Sequence, residues 1–278
     1  MNSPGRRISP FLSLYRGDVA FITFCAALAG PFFSGDSIAC ADAGIAAFIA
    51  GVLYNYVYVL NALTDRQEDR INHPERPLPA GEVTPEAAGW YAAFLGMVSV
   101  AGSLLLFTGR SLFLALLVPF FGTIYSAAPF ALKRFPIAAV LITAWGLVHP
   151  FFITASSSVG WRGIAFIVIA AAVVLFKDSA DSRGDTEAGR QVSVVALLPP
   201  HGTGFVSLSL LAIGTVLLIS FDLLLAVPLP LFSALVLLWH MVKVPSGAWL
   251  AVIYTRLIRT VIIALLVVGS IAVGKMVS

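Results

Sequence analysis

The chain has 278 residues, of which 59% are hydrophobic and only 11% are charged. A soluble domain carries about 25% charged residues, so the composition excludes an ordinary soluble protein and indicates one embedded in the lipid bilayer. The net charge is only +3, and the basic residues are spread along the chain rather than gathered in one stripe, which argues against a nucleic-acid partner.

Long apolar runs occupy most of the chain. Most have the roughly 20 residues that a membrane-spanning helix needs, so we expect an all-α, polytopic membrane protein with nine transmembrane helices. The runs lie at about 19–35, 43–63, 87–107, 111–130, 137–155, 162–180, 203–221, 223–242 and 250–274. Cys25 and Cys40 lie in or beside the first two runs and form no zinc-binding or disulfide pattern, so we interpret them as packing residues.

The distribution of positive charge predicts the orientation. With nine spans, all but three of the 17 Lys and Arg residues fall on one side, the exceptions being Arg110, Arg162 and Lys275. The positive-inside rule makes that side cytoplasmic, with the N-terminus inside and the C-terminus outside. Arg16 and Asp18 interrupt the run that a signal peptide would need, so we expect no cleaved signal. We expect a multi-pass protein of a bacterial cell membrane.

Two sets of polar residues lie at the predicted cytoplasmic ends of apolar runs. The first is Asn61, Asp65 and Asp69; the second is Asp178, Asp181 and Asp185. Spacings of three or four residues align each set along one helix face. Either set alone is equally consistent with a solvated helix end. However, carboxylates at membrane-helix ends are costly unless they bind a cation or line a wet cavity, so the two together predict Mg²⁺ ions that hold a diphosphate.

Basic and aromatic residues accompany the acidic sets. Cations stabilise a diphosphate leaving group, although the positive-inside rule alone also predicts cations on this side. The candidates are Arg16, Arg76, Lys133 and Arg134. Tyr54 and Tyr58 share the helical face of Asn61 and could shield a carbocation, or simply pack between helices. Trp145 and His149 are one turn apart, and His149 is either a base, a residue that orients an acceptor, or an ordinary hydrogen-bonded residue.

These motifs resemble those of the UbiA superfamily of intramembrane prenyltransferases. Asn61, Asp65 and Asp69 are similar to the first family motif, NDxxDxxxD, and Asp181 and Asp185 to the second, DxxxD, with Asp178 just before it. The segment 76–81 is similar to RPLPSG. The YS-P-LKR segment is matched by Tyr125, Ser126, Pro129, Lys133 and Arg134. The family's second position is usually Asp, whereas this chain has Ala62; the pattern is most similar to that of the homogentisate prenyltransferase branch.

The resemblance implies one domain, residues 1–278, whose helices surround a central cavity, and Mg²⁺-dependent prenyl transfer from an isoprenoid diphosphate to a small aromatic or lipid-like acceptor. In this reading the metal ligands are Asn61, Asp65, Asp69, Asp178, Asp181 and Asp185, with the four Asp residues of the two family motifs catalytic. The substrate contacts are Arg16, Tyr54, Tyr58, Asn61, Arg76, Tyr125, Lys133 and Arg134. A terpene cyclase that needs no acceptor and a transporter with an acidic cation site remain alternatives.

Overall fold

A computed structural model describes residues 10–14, 17–34, 40–155, 163–187, 194–198, 202–221 and 227–243. All regular structure in these ranges is helical, which confirms the all-α prediction. The helices are α1 (Pro10–Leu14), α2 (Gly17–Ser34), α3 (Cys40–Thr64), α4 (Arg66–Asn72), α5 (Pro85–Leu106), α6 (Gly109–Ser126), α7 (Pro136–Thr154), α8 (Gly163–Glu187), α9 (Gly202–Ser220) and α10 (Pro228–Lys243). Leu132–Arg134 and Val194–Leu197 form short 3₁₀ turns.

Eight of the nine predicted apolar segments fall on helices of the described ranges, and the ninth, 250–274, lies outside them. Five stretches in these ranges are long and apolar enough to cross a membrane: Gly44–Thr64, Pro85–Leu106, Gly109–Ser126, Pro136–Thr154 and Gly202–Ser220. The chain is therefore a multi-pass membrane protein. The fourth segment was predicted to continue to residue 130, but its helix ends at Ser126, three residues before Pro129, which disfavours helical backbone in the residue that precedes it.

Helices α3 and α7 have the most neighbours in the bundle. Helix α3 packs against α2, α5 and α6, while α7 packs against α2, α6 and α8. Helix α8 packs in turn against α9, and α9 against α10. Apolar clusters fill these interfaces, one between α7 and α8 and another between α8 and α9. This order brings the ends of α3, α6 and α7 together, and those ends carry the first acidic motif and the basic segment.

A glycine allows α2 and α7 to touch. A Cβ atom on Gly30 would lie 2.7 Å from the Phe151 carbonyl oxygen and 2.8 Å from the Ala155 nitrogen, which no side chain can accept. The Thr154 hydroxyl donates to the Ala27 carbonyl at 2.5 Å across the same contact. Small residues and interhelical hydrogen bonds are how membrane helices associate where lipid supplies no hydrophobic driving force.

The proline-rich segment 73–84 is a folded loop with no helix, as its prolines predict. Two of its side chains, Leu78 and Val83, are buried against Leu14 of α1 and Val59 of α3. The loop therefore lies against the bundle beside the end of α3 and α4. Thr84 ends the loop, and its hydroxyl accepts a hydrogen bond from the Ala87 backbone N–H at 3.2 Å, which caps α5.

Candidate functional site

The first acidic motif spans a break between two helices. Helix α3 ends at Thr64, and Asp65 adopts φ −97° and ψ 13° before α4 begins. The i to i+4 backbone hydrogen bonds nevertheless continue: the Asp65 N–H donates to the Asn61 carbonyl, and the Asp69 N–H to the Asp65 carbonyl, both at 2.8 Å. The helical register is thus retained through the bend, and the three motif residues stay on one side of the chain.

The Asp65 carboxylate accepts hydrogen bonds from two elements, α3 and the 3₁₀ turn. Its Oδ1 pairs with the Lys133 ammonium, and its Oδ2 accepts from the Asn61 amide at 2.5 Å. Lys133 also donates to the Thr64 hydroxyl at 2.8 Å. The side-chain amide oxygen of Asn61, Oδ1, accepts in turn from the Ser126 hydroxyl of α6 at 3.1 Å. The network joins α3, α6 and the 3₁₀ turn and fixes both motif side chains.

Asp69 is more deeply buried, with 5% of its surface exposed. Arg76 of the proline-rich loop donates to its Oδ1 at 2.7 Å, while its Oδ2 has no partner among the described residues. Burial raises the pKa of the Asp69 carboxyl above its ordinary value, although the Arg76 guanidinium opposes the shift. One buried carboxylate oxygen therefore remains able to accept a cation.

A tight turn directs Lys133 towards Asp65. Ala131 has a φ of +41°, in the left-handed region that side chains other than glycine, Asn and Asp seldom adopt. The Arg134 N–H closes the turn by donating to the Ala131 carbonyl at 2.9 Å. Lys133 is buried, but the next residue, Arg134, is exposed. Two neighbouring cations that looked equivalent in the sequence therefore differ, because only Lys133 reaches the acidic motif.

The second acidic motif lies on α8, which continues to Glu187, beyond the predicted end of the sixth apolar segment at 180. Asp178 is half-buried, and the side chains of Asp181 and Asp185 lie outside the described set. Helix α4, which carries Asp69, packs against α8. Arg16 also falls outside the described residues. In the part of the chain that the structure describes, no three His, Cys, Asp or Glu side chains form a metal-binding group.

The aromatic residues lie below the acidic motif. Tyr54 is buried among Leu53, Val118 and Ile153, and Tyr58 packs half-buried against the same cluster. The Tyr125 hydroxyl of α6 accepts from the Thr143 hydroxyl of α7 at 3.2 Å. The tyrosines therefore line the contacts of α3 and α6 with their neighbours, beneath the Asn61–Asp65 network.

Sequence reasoning missed two polar residues at this site and named a third, Ser126, only as part of the YS-P-LKR match. Thr64 and Ser126 hydrogen-bond to Lys133 and Asn61, and Glu68 is buried on α4 beside Asp69. Single hydroxyls give no signal of their own in a sequence. Ala62, where the resembling motif has Asp, packs into the apolar cluster between α3 and α5. Position 62 therefore faces away from the acidic side chains.

The donor set suits Mg²⁺, which prefers oxygen ligands and commonly takes one or two carboxylates with water and phosphate oxygens. Asp69 offers a buried oxygen without a partner among the described residues, and Asp65 offers a second carboxylate, now neutralised by Lys133. Asn61 and Asp65 are held rigidly by their hydrogen bonds. The chemistry of these ligands fits a hard divalent cation.

Three comparisons relate this chain to known proteins. A model of the UbiA prenyltransferase family matches residues 19–261. The homogentisate phytyltransferase of Synechocystis sp. is 32% identical over 171 residues, which cover 55% of this chain and 54% of that protein. The digeranylgeranylglyceryl phosphate synthase of Methanoculleus marisnigri is 27% identical over 192 residues, 66% of each protein. The chain thus spans about half to two thirds of the length of these relatives.

The fold is shared with a solved membrane protein. The structure of a UbiA homologue from Archaeoglobus fulgidus, bound to GPP and Mg²⁺, superposes with a TM-score of 0.72 and 20% sequence identity. The match covers 94% of this chain and all of that one. The helical arrangement described above is therefore that of the homologue.

Proposed function

This chain belongs to the UbiA prenyltransferase family, and we propose that it transfers a prenyl group from an isoprenoid diphosphate to an aromatic acceptor within the membrane. The relatives named for prenyl transfer, among them the homogentisate phytyltransferase, support the reaction class and favour a phenolic acceptor. The Archaeoglobus homologue bound to GPP and Mg²⁺ supports a prenyl diphosphate donor and a divalent metal.

One observation carries the proposal: the half-buried carboxylate of Asp65 and the buried carboxylate of Asp69 are each paired with a cation from a different loop. Asp65 pairs with Lys133 and Asp69 with Arg76. Buried charges are costly unless they are compensated, and clusters of such charged groups are found preferentially at functional sites. Lys133 and Arg76 would compensate negative charge on a bound diphosphate. Asp65 and Asp69 would compensate positive charge on its metal ion.

The chain's residues bind the donor and assist its ionisation. Mg²⁺ would be held by Asn61, Asp65 and Asp69, together with Asp178, Asp181 and Asp185 of α8, and it would supply positive charge to the leaving diphosphate. Lys133 and Arg76, released from their carboxylates, bind the phosphate oxygens and stabilise the growing negative charge. Arg16, Arg134 and Tyr125 are further candidate donor contacts.

The proposed reaction breaks one bond of the donor and forms one bond to the acceptor. The C1–O bond of the donor breaks, and its electron pair leaves with the diphosphate. The allylic cation lies against the faces of Tyr58 and Tyr54, which exclude water and stabilise positive charge. A carbon atom of the electron-rich acceptor ring forms the new C–C bond and then loses its proton to solvent or to the diphosphate.

Substitution of the carboxylates tests the proposal. Asp65→Asn and Asp69→Asn should each lower turnover by about 100-fold or more, because metal and diphosphate binding both need the charge. Glu75→Gln is the matched control, since the Glu75 side chain is 73% exposed in the adjoining loop. The assay follows pyrophosphate release and product mass from membranes given geranyl, farnesyl or geranylgeranyl diphosphate with a panel of phenols.

The same assay separates the alternatives. EDTA should abolish product formation, and product should require the phenol. A cyclised hydrocarbon or alcohol made from the donor alone would identify a terpene cyclase, and absence of substrate-dependent pyrophosphate release would favour a transporter. Full activity in EDTA, or in both carboxylate variants, would contradict the proposed site.

A further inference from the structure

Two aromatic side chains in the middle of the bundle have polar atoms without hydrogen-bond partners. His149 of α7 is fully buried, and neither of its ring nitrogens has a partner within the described ranges. The Tyr54 hydroxyl on α3 is also buried and unpartnered among the same residues. A buried polar group without a partner costs about 1–3 kcal/mol, and the large majority of buried side-chain polar atoms in folded proteins have a partner. A ligand that supplies the missing hydrogen bonds would account for both.

Gly146 connects the two groups. A Cβ atom on Gly146 would have one heavy atom of another element within 4 Å, Tyr54 Cε1 at 3.9 Å. This glycine therefore differs from Gly30, because no close helix contact requires it. A helical glycine costs about 1 kcal/mol relative to alanine, yet here it keeps space free beside the Tyr54 ring. Gly146 and His149 are three residues apart and share a face of α7, so the free space adjoins both unpartnered groups.

The surrounding rings define the shape of a ligand. The Trp145 ring centroid lies 4.1 Å from that of His149 and 5.3 Å from that of Phe121 on α6. Aromatic walls favour a flat apolar ring by offset or edge contacts. A neutral histidine offers one donor and one acceptor, and a tyrosine hydroxyl offers both. The combination suits an aromatic ring that carries hydroxyl groups.

The position of Tyr54 along α3 places it below the first acidic motif. Tyr54 precedes Asn61 by seven residues, which is about 10 Å along α3 at 1.5 Å per residue. A ring held beside Tyr54 and Gly146 would thus lie deeper in the bundle than the diphosphate site. It would face the allylic carbon of the donor from the apolar side.

We propose that Tyr54, Gly146 and His149 form the binding site for the hydroxyl-bearing ring of a phenolic acceptor. The phenolic O–H donates to the unprotonated nitrogen of His149, and the Tyr54 hydroxyl pairs with a second polar atom of the ligand. These bonds orient the ring without requiring His149 to remove a proton. The inference rests on the proposed prenyl transfer and specifies which residues select the acceptor.

The test uses the full-length protein in lipid nanodiscs with three variants. His149→Leu removes both nitrogens, His149→Gln keeps a donor and an acceptor, and Gly146→Leu fills the free space. Ser99→Ala is the control, because Ser99 is equally buried, on α5, but its hydroxyl donates to its own helix at the Leu95 carbonyl (2.6 Å). The probes are homogentisate, 4-hydroxybenzoate and hydroquinone, with phenylacetate as the analogue of homogentisate that lacks both hydroxyls.

In the wild type, at least one phenol but not phenylacetate should raise the thermal midpoint and serve as acceptor. His149→Leu and Gly146→Leu should raise the KM for that phenol about tenfold or more and abolish its thermal shift, while the KM for the prenyl diphosphate stays unchanged. His149→Gln should retain most of the affinity, and Ser99→Ala all of it. Without ligand, His149→Leu should melt no lower than the wild type, because it removes a buried group that has no hydrogen-bond partner among the described residues.

Other results overturn the inference in distinguishable ways. A raised KM for the donor alone in His149→Leu would assign this space to the prenyl tail. Unchanged phenol binding in His149→Leu would leave His149 a packing residue. If no phenol binds but pyrophosphate is still released from the donor in a Mg²⁺-dependent manner, the acceptor site fails while the donor half of the proposed function stands. If pyrophosphate release fails as well, both proposals fall.

Discussion

Lys133 and Arg134 are adjacent cations with different surroundings, and the difference predicts different roles. Lys133 is paired with Asp65, and their side chains are 11% and 23% exposed. Lys133→Met would leave Asp65 without its counter-ion, at a cost of about 1–3 kcal/mol, below the 3–5 kcal/mol of a fully buried pair. Arg134 is exposed, so Arg134→Met should leave stability unchanged within about 0.5 kcal/mol.

A metal ion should replace the missing charge in the Lys133 variant. Thermal melts with and without Mg²⁺ should show a larger Mg²⁺-induced rise in the midpoint for Lys133→Met than for the wild type, because the ion then meets no competing ammonium. Turnover should nevertheless fall, since the departing diphosphate loses a cation. Equal Mg²⁺ shifts in the wild type and in both variants would show that Asp65 is not a metal ligand.

Sequence reasoning at this scale identified residues but not their partners. A spacing of four along a helix is visible in a sequence, so Asn61, Asp65 and Asp69 were found together. The contact between Lys133 and Asp65 joins residues 68 positions apart, and it depends on the left-handed turn at Ala131. No local pattern announces that turn, because alanine is seldom found there. Polar atoms of His149 and Tyr54 have no hydrogen-bond partner in the described ranges, and this too becomes apparent only when the neighbours are known.

Hydropathy predicted where the helices lie but not where they end. The bend at Asp65 and the extension of α8 to Glu187 occur in polar sequence, where lipid no longer decides the conformation. Both changes affect the site: Asp65 lies at the bend between α3 and α4 while Asp69 lies on α4, and the extension keeps the second acidic motif on α8. Packing between helices, rather than composition, therefore determines the geometry of the acidic residues.

The close contact of α2 and α7 predicts that alanine substitutions at Gly30 and Gly89 affect stability differently. Gly30→Ala would force α2 and α7 apart, since the new Cβ meets backbone atoms that cannot move independently. We expect a loss of about 1–3 kcal/mol, the usual cost of overpacking. Gly89→Ala on α5 has nothing within 4 Å of the new Cβ and should be neutral or stabilising by up to about 1 kcal/mol. Thermal melts in one detergent compare the two, and equal midpoints would contradict the close contact.

At the scale of the whole molecule, the site needs a defined side of the membrane. The proposed donor, a diphosphate made in the cytoplasm, would reach the acidic motif only if α3 ends on that side. The shared fold fixes how the helices pack, whereas the orientation depends on where the basic residues lie, by the positive-inside rule. Helix α5 (Pro85–Leu106) separates Glu82 from Thr108, and both of these residues are exposed.

Single cysteines on either side of α5 test the orientation. In a background with Cys25→Ala and Cys40→Ala, a membrane-impermeant maleimide should label Thr108→Cys in intact cells and Glu82→Cys only after permeabilisation. The physical reason is that Glu82 follows the loop that carries Arg76, on the side where most cations lie. The reverse labelling would show that the Asp65–Lys133 and Asp69–Arg76 pairs face the outside of the cell. A cytoplasmic diphosphate could not reach them there, so the proposed reaction would need a donor delivered from the external face.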